Sequence, residues 1–314
     1  MNQKLTLAAY LEAWVVRIRK TRRYKTYELY EGLVRKHLMP LVGGLDVRLV
    51  KRRHVREVLD GLGGNVGSRT RQLIFRVLRQ VFAEAIEDEL ITVNPCFRKD
   101  KPRHETRERR VLDLQEVRRL LVAAKRGDYY VLFFLALATG MRQGEIFGLC
   151  WDAIDFETSS LYVRVSLARD EQGRMILLPP KTSRKRRLDI GDALCRMLLQ
   201  HKHRQPDGPW VFVDRDGEPL AKDRFVRGVF QPLLKEAGIG RIRFHDLRHT
   251  SATLALSSGI NVKVVSERLG HSSAQMTLDV YTRALPTLQR EAASQMESLI
   301  KGQVARRRRL FSRR

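Results

Sequence analysis

Four polar side chains near the end of the chain have the types and order needed for phosphate chemistry. His245 and Arg248 stand three residues apart in His245-Asp246-Leu247-Arg248, His271 follows in Leu269-Gly270-His271, and Tyr281 closes the series. Together they offer a fixed cation, proton carriers and a hydroxyl nucleophile, the parts needed to move a phosphodiester onto a protein oxygen. Such an ester resists cleavage because its charge repels nucleophiles and its alkoxide leaves poorly. A metal-free catalyst must fix cations at the non-bridging oxygens, an acid at the leaving oxygen and an activated nucleophile opposite it. Arginine suits the first task, since its planar fork spans two phosphate oxygens and keeps its charge. A tyrosine with a pKa of about 10 is ionised only about one part in a thousand at neutral pH, so Tyr281 needs cations or a base beside it. Arg142, just past the Thr139-Gly140 break and near the start of a helix whose amides favour an anion, is a second candidate cation.

The elements that must position these groups fit a chain of 314 residues, long enough for about two domains. Sixty Lys and Arg against 35 Asp and Glu give a formal charge of +25. An excess of that size points to a polyanionic partner, nucleic acid before a membrane surface. The longest apolar run, Tyr129 to Ala138, is half the length of a membrane span and reads as a buried helix. Glu12, Arg17 and Arg19 interrupt the apolar start, so no signal peptide is expected. Cys96, Cys150 and Cys195 are odd in number and far apart, which excludes a disulfide framework or a CxxC metal pair and suits a reducing compartment.

The first hundred residues read as helices. Thr6 caps one with Leu7, Tyr10, Leu11, Trp14, Val15 and Ile18 on a single face. Thr26 is expected to cap a second, which stops at Leu38 before Pro40; a third covers about Arg52 to Leu62. The loop Gly61 to Gly67 follows no strand and lacks a dinucleotide-binding spacing. Ser68 is expected to cap a long fourth helix that Asn94-Pro95 ends. Residues 98–110 carry seven Lys and Arg and no aliphatic side chain, and read as a linker lying along phosphates. Beyond it Asp113 caps a helix to about Lys125, a buried helix runs from about Asp128 to Ala138, and Met141 to Leu149 resume the helix. Strands are expected at Leu161 to Ser166, Arg174 to Leu178 and Lys185 to Ile190, with a strand-like piece at Trp210 to Val213. His201 and His203 read as solvent-facing at a polar helix end, and His249 as a packing residue. The last ten residues hold six arginines and read as a disordered tail.

Four blocks in order, Ala138-Thr-Gly-Met-Arg-Gln-Gly-Glu145, His245-Asp-Leu-Arg-His-Thr250, Leu269-Gly-His-Ser-Ser273 and Val280-Tyr-Thr282, resemble the signatures of tyrosine recombinases of the phage-integrase type. Pro180-Lys181-Thr182 matches the lysine that the family carries on a hairpin. The resemblance spans almost the whole chain. It implies a mainly α fold with a small antiparallel β-sheet in the second domain, the two domains forming a clamp on DNA. The expected division is a helical core-site DNA-binding domain at 1–97, a basic linker at 98–110, an α+β catalytic domain at 111–287, and a C-terminal helix with an Arg-rich tail at 288–314.

The same resemblance implies roles. Arg142 and Arg248 clamp the scissile phosphate, Tyr281 attacks it to give a 3′-phosphotyrosyl link, and Lys181 protonates the 5′ leaving oxygen. His245 takes the tyrosine proton, His271 hydrogen-bonds a phosphate oxygen, and Glu145 orients nearby basic groups. No cofactor or metal is implied. The implied partners are double-stranded DNA, further copies of the chain in a homotetramer, and accessory bending or directionality factors, in the cytoplasm on the nucleoid. Leu288, Ala292, Met296, Leu299 and Ile300 form an apolar face that in the family packs on a neighbouring protomer. The chain opens on helices resembling a core-site domain, so the resemblance does not extend to arm-site recognition. Integration or excision of a phage or other mobile element is the leading reading. Chromosome-dimer resolution, type IB topoisomerase activity and a catalytically silent DNA-binding protein are the alternatives.

Overall fold

The computed structural model describes residues 4–104, 110–180 and 185–271, with residues 293–294, 296–298 and 300–301 of a terminal helix. Lys181 and Tyr281, and most of the expected helix from Leu288 to Ile300, lie outside the described residues. The chain divides into two compact units, Met1–Glu108 and Arg109–Arg314.

In the first unit α1 (Leu7–Thr21) starts where Thr6 Oγ1 accepts from Ala9 N, and the six apolar side chains of its expected face are the six it buries. Trp14 is fully buried, stacks on Tyr30 and donates from Nε1 to Glu84 at 2.7 Å. Next comes α2 (Tyr24–Leu33), which begins two residues before Thr26. It does not stop before Pro40. A π-helical turn, Val34–Leu38, carries it into α3 (Met39–Val42), with Pro40 in the first turn. Proline lacks the N–H and clashes with the carbonyl four residues back, and the wider i→i+5 turn absorbs that misfit. The pattern recurs in the second unit, where the π turn Val226–Phe230 precedes α11 (Gln231–Glu236) and its Pro232.

Helix α4 (Arg52–Gly61) precedes the glycine loop, and α5 (Ser68–Glu87) crosses the core with Ile74, Val77, Leu78, Val81 and Phe82 buried. Gly67, not Ser68, is its N-cap, and it ends seven residues before Asn94 because Asp88 and Glu89 leave helical geometry, Glu89 with φ of 56°. Ser68 Oγ instead pairs with His104 Nδ1 at 2.8 Å. That contact is one of several by which residues 98–104 are tied to the first unit. Asp100 is gripped by Arg52 at 2.6 Å and Arg56 at 3.1 Å, and the Pro102 carbonyl accepts from Gln72. The two arginines hold the Asp100 carboxyl down to about 2.

The second unit is helical around two small antiparallel sheets. A reciprocal capping box, Asp113 with Glu116, starts α6 (Leu114–Ala124). Helix α7 (Tyr130–Thr139) is apolar on nearly all sides and lies in the core; no described helix is long and apolar enough to cross a membrane. Phe133 on α7 meets Phe225, Phe230 and Phe244, and Phe147 joins the cluster. Only α8 (Gln143–Phe147) of the helix expected from Met141 to Leu149 forms. The strands β1 (Ile154–Asp155), β2 (Ser160–Val163) and β5 (Arg186–Asp189) make one sheet, and β3 (Ser166–Arg169) with β4 (Met175–Leu178) makes a hairpin. The single strand expected from Leu161 to Ser166 is thus divided between two sheets. Trp210 to Val213 forms only isolated bridges, to Cys150 and Pro219. The rest of the unit is α9 (Asp192–Arg204), α10 (Lys222–Phe225), α12 (Phe244–Ser257) and α13 (Val262–Leu269). On α9, His201 departs from expectation. It is buried against Trp151 and Phe212 with Nε2 at 2.9 Å from the Val211 carbonyl, because the returning chain covers the helix end. His203 is exposed.

Candidate active site

Helix α7 ends at Gly140, whose φ of 62° is left-handed and whose added Cβ would overlap Leu269. Glycine permits that turn at no steric cost. It aims the Gly140 carbonyl at Arg248 Nη1, 2.8 Å away, from the middle of the second unit. Arg248 sits one turn into α12, which Asp246 starts by accepting from the Arg243 backbone N–H at 2.8 Å and from its guanidinium. Only 4% of Arg248 is exposed, and its Nη2 has no hydrogen-bond partner among the described residues. Burial first, then the positive charge of Arg142, lowers the guanidinium to about 9. A buried donor left unpaired in a cationic neighbourhood is stabilised by an anion.

Arg142 is the N-cap of α8. Its backbone N–H donates to Glu145 Oε2 at 2.9 Å, its Nη1 to Glu145 Oε1 at 2.8 Å, and its Nη2 to the Gly270 carbonyl at 2.8 Å. Glu145 has no exposed side-chain surface. Burial opposes its ionisation, yet Arg186 and then Arg142 hold its pKa below the ordinary carboxylate value. Arg186 was not singled out by sequence, where it is one of four basic residues in a row, Arg184 to Arg187. Strand alternation is the signal that could have found it, since Arg186 shares a face of β5 with the buried Leu188. Its Nη2 lies 2.7 Å from Glu145 Oε2, its Nη1 3.1 Å from Oε1, and its Nε 2.8 Å from the Arg268 carbonyl.

His271 follows Gly270, the left-handed cap of α13. Burial, then the charges of Arg248, Arg142, Arg186 and His245, push its imidazole down to about 4. It is therefore neutral at physiological pH and can share a proton with a phosphate oxygen. His245 is exposed on the first turn of α12 and meets His249 ring to ring, centroids 5.0 Å apart. The fold thus gathers Arg142, Glu145, Arg248 and His271, with His245 close enough to act on His271. The arrangement suits an oxyanion bearing charge on several oxygens: two guanidinium groups, a neutral imidazole, and one buried carboxylate that fixes the cations without neutralising them.

The phage integrase family pattern matches residues 110–287. A "tyrosine recombinase XerC-like" protein of Caldanaerobacter subterraneus subsp. tengcongensis is 27% identical over 95% of this chain and 84% of its own length. The integrase of Mycobacterium phage D29 is 29% identical over 94% of this chain and 79% of its own. Among solved structures, the Tn1549 transposon integrase in complex with transposon right end DNA superposes with a TM-score of 0.79 at 22% identity, covering 92% of this chain and 100% of that one. A lambda integrase tetramer bound to a Holliday junction gives 0.68 at 23% identity, covering 89% and 78%. These structures share the fold. The matched pattern takes in more than half of the sequence, and the chain belongs to the phage integrase family: it is a tyrosine recombinase, an enzyme of site-specific DNA recombination.

Proposed function

We propose that this recombinase cleaves and rejoins duplex DNA through a 3′-phosphotyrosyl intermediate at Tyr281, in the service of a phage or other mobile element. The observation that carries the reading is the buried Arg248, whose Nη2 is unpaired among the described residues, set beside Arg142 and a neutral His271. Arg142 and Arg248 hold the non-bridging oxygens, and His271 hydrogen-bonds one of them. The Tyr281 oxygen attacks phosphorus, its proton passes to His245, and the bond to the 5′ oxygen breaks as Lys181 protonates it. The ester energy stays in the phosphotyrosine, so a second 5′-hydroxyl can reverse the step on a new partner. Residues 1–97 serve core-site binding, 98–110 connect the domains, 111–287 carry the chemistry, and 288–314 supply contacts between protomers of a tetramer on DNA. Accessory bending or directionality factors would act on that assembly, in the cytoplasm on the nucleoid.

Incubating the protein with nicked duplex carrying its site tests this. Wild type should give a covalent protein–DNA adduct, and Tyr281→Phe should bind the DNA without one. An undiminished adduct in the variant removes Tyr281 from the mechanism. The XerC-like relative favours chromosome-dimer resolution as the second reading. Mapping the sites the protein recombines separates the two, since attachment repeats beside the gene indicate a mobile element.

A further inference from the structure

We infer that Arg186 is a positioning residue of the strand-transfer site, which sets Arg142 in place by gripping Glu145 and ties both to the chain just before His271. The inference rests on the strand-transfer reading above.

The side chain of Arg186 is 9% exposed, and its Nε, Nη1 and Nη2 are all engaged. It is therefore not a third clamp for phosphate. Its partners form a closed circuit. Glu145 receives Arg186 on both oxygens and Arg142 on the same two. Arg142 reaches on to the Gly270 carbonyl, and Arg186 returns to the Arg268 carbonyl two residues earlier. The end of α13, the start of α8 and the start of β5 are thereby joined through one carboxylate. An added Cβ on Gly270 would stand 2.9 Å from Arg186 Nη1, so the guanidinium also packs against the residue preceding His271.

Charge gives the circuit its purpose. The groups facing Glu145 are Arg142 before α8, Arg186 on β5 and, by its charge, Arg248 on α12. With Arg186 present, Glu145 divides its attraction between two cations and Arg142 keeps a hand on Gly270. Without it, Glu145 has Arg142 as its one hydrogen-bonded cation, and that guanidinium is drawn from the phosphate. Burial also raises Glu145 once its first partner is gone, so the carboxylate takes a proton as pH falls.

The test is single-turnover cleavage of a nicked suicide duplex by full-length protein at saturating concentration. Arg186→Gln should lower the rate constant about a hundredfold, as expected of a misplaced catalytic group, while the final adduct yield and the affinity for DNA stay near wild type. Its rate should fall more steeply on acidification than that of wild type or Arg186→Lys. Arg186→Lys restores the charge but not the fork, and should be intermediate. Combined with Glu145→Gln, the Gln variant should be no slower than the slower single variant, because the two act through one link. A rate constant within about twofold of wild type overturns the inference, as do multiplying losses or a deficit confined to adduct yield, which marks a purely structural role. If Arg186→Gln does not fold, a wild-type rate constant in Arg186→Lys overturns it equally. A wild-type protein that forms no adduct overturns the strand-transfer reading itself, whereas a wild-type adduct with an unimpaired Gln variant overturns only this inference.

Discussion

In the first unit most ionised groups stand at the margin of an apolar core, and in the second several stand inside it. Glu84 of α5 and Asp88 just beyond it meet Trp14, Tyr10 and Arg17 at a half-open edge, while Leu7, Leu11, Trp14 and Phe82 fill the interior. The second unit has a larger apolar core and yet encloses Glu145, Asp246 and Arg248. Burying ions costs free energy that their mutual attraction seldom returns in full. Stability alone favours the arrangement of the first unit, so the second has been shaped by something else. The cost falls where a phosphate would be held.

Substitutions can break or sharpen this contrast. The largest effects on folding should come from Trp14→Ala, about 3–5 kcal/mol, and from Glu145→Ala, also about 3–5 kcal/mol, because it strands two partly buried cations. Hydrogen exchange resolved along the full chain should confine each loss to its own unit. Next, Arg248→Met should cost on the order of a hundred- to a thousandfold in cleavage rate with unchanged or slower exchange in the second unit. A loss of protection as large as that from Trp14→Ala would collapse the distinction. Acid should then separate the units. His271 and His201 both have lowered folded pKa values, so the unfolded chain binds more protons from about pH 6.5 down to the folded value, about 4 for His271. Stability of the second unit therefore falls as pH drops through that window. Asp46 and Asp100 of the first unit stay ionised to about 2, and only His37 there is a described histidine with a resolved downward shift. Exchange at pH 4.5 should open the second unit first, and equal opening would refute the assignment. The smallest change should follow Asp100→Asn, faster exchange at residues 98–104 with no global loss.

What sequence reveals differs between the units for the same physical reason. Helix α1 was readable to the residue because a cap and a 3.6-residue stripe are local properties. Arg142, Glu145, Arg248 and His271 could be listed, but not the circuit joining them, which depends on β5 and the end of α13 meeting. Arg186 is hidden among equally basic neighbours, of which Lys185 and Arg187 are exposed. His201 reads as solvent-facing in sequence because its cover comes from Val211, ten residues on. Pro40 reads as a stop because the π turn that accommodates it has no mark in the sequence. In segment 98–104 charge alone does not tell a run that lies along phosphates from one that also holds an ion pair.

Gly270 carries a consequence of another kind. Its φ of 64° suits few residues, and a Cβ there crowds a guanidinium already held by three hydrogen bonds. In a library of every amino acid at every position, selected for recombination, Gly270 should be depleted of its alternatives as severely as Arg248. The glycine has no side chain with which to do chemistry. A mutational scan read by itself would therefore score the backbone and the reagent alike, and only the geometry tells which of the two an intolerant position is.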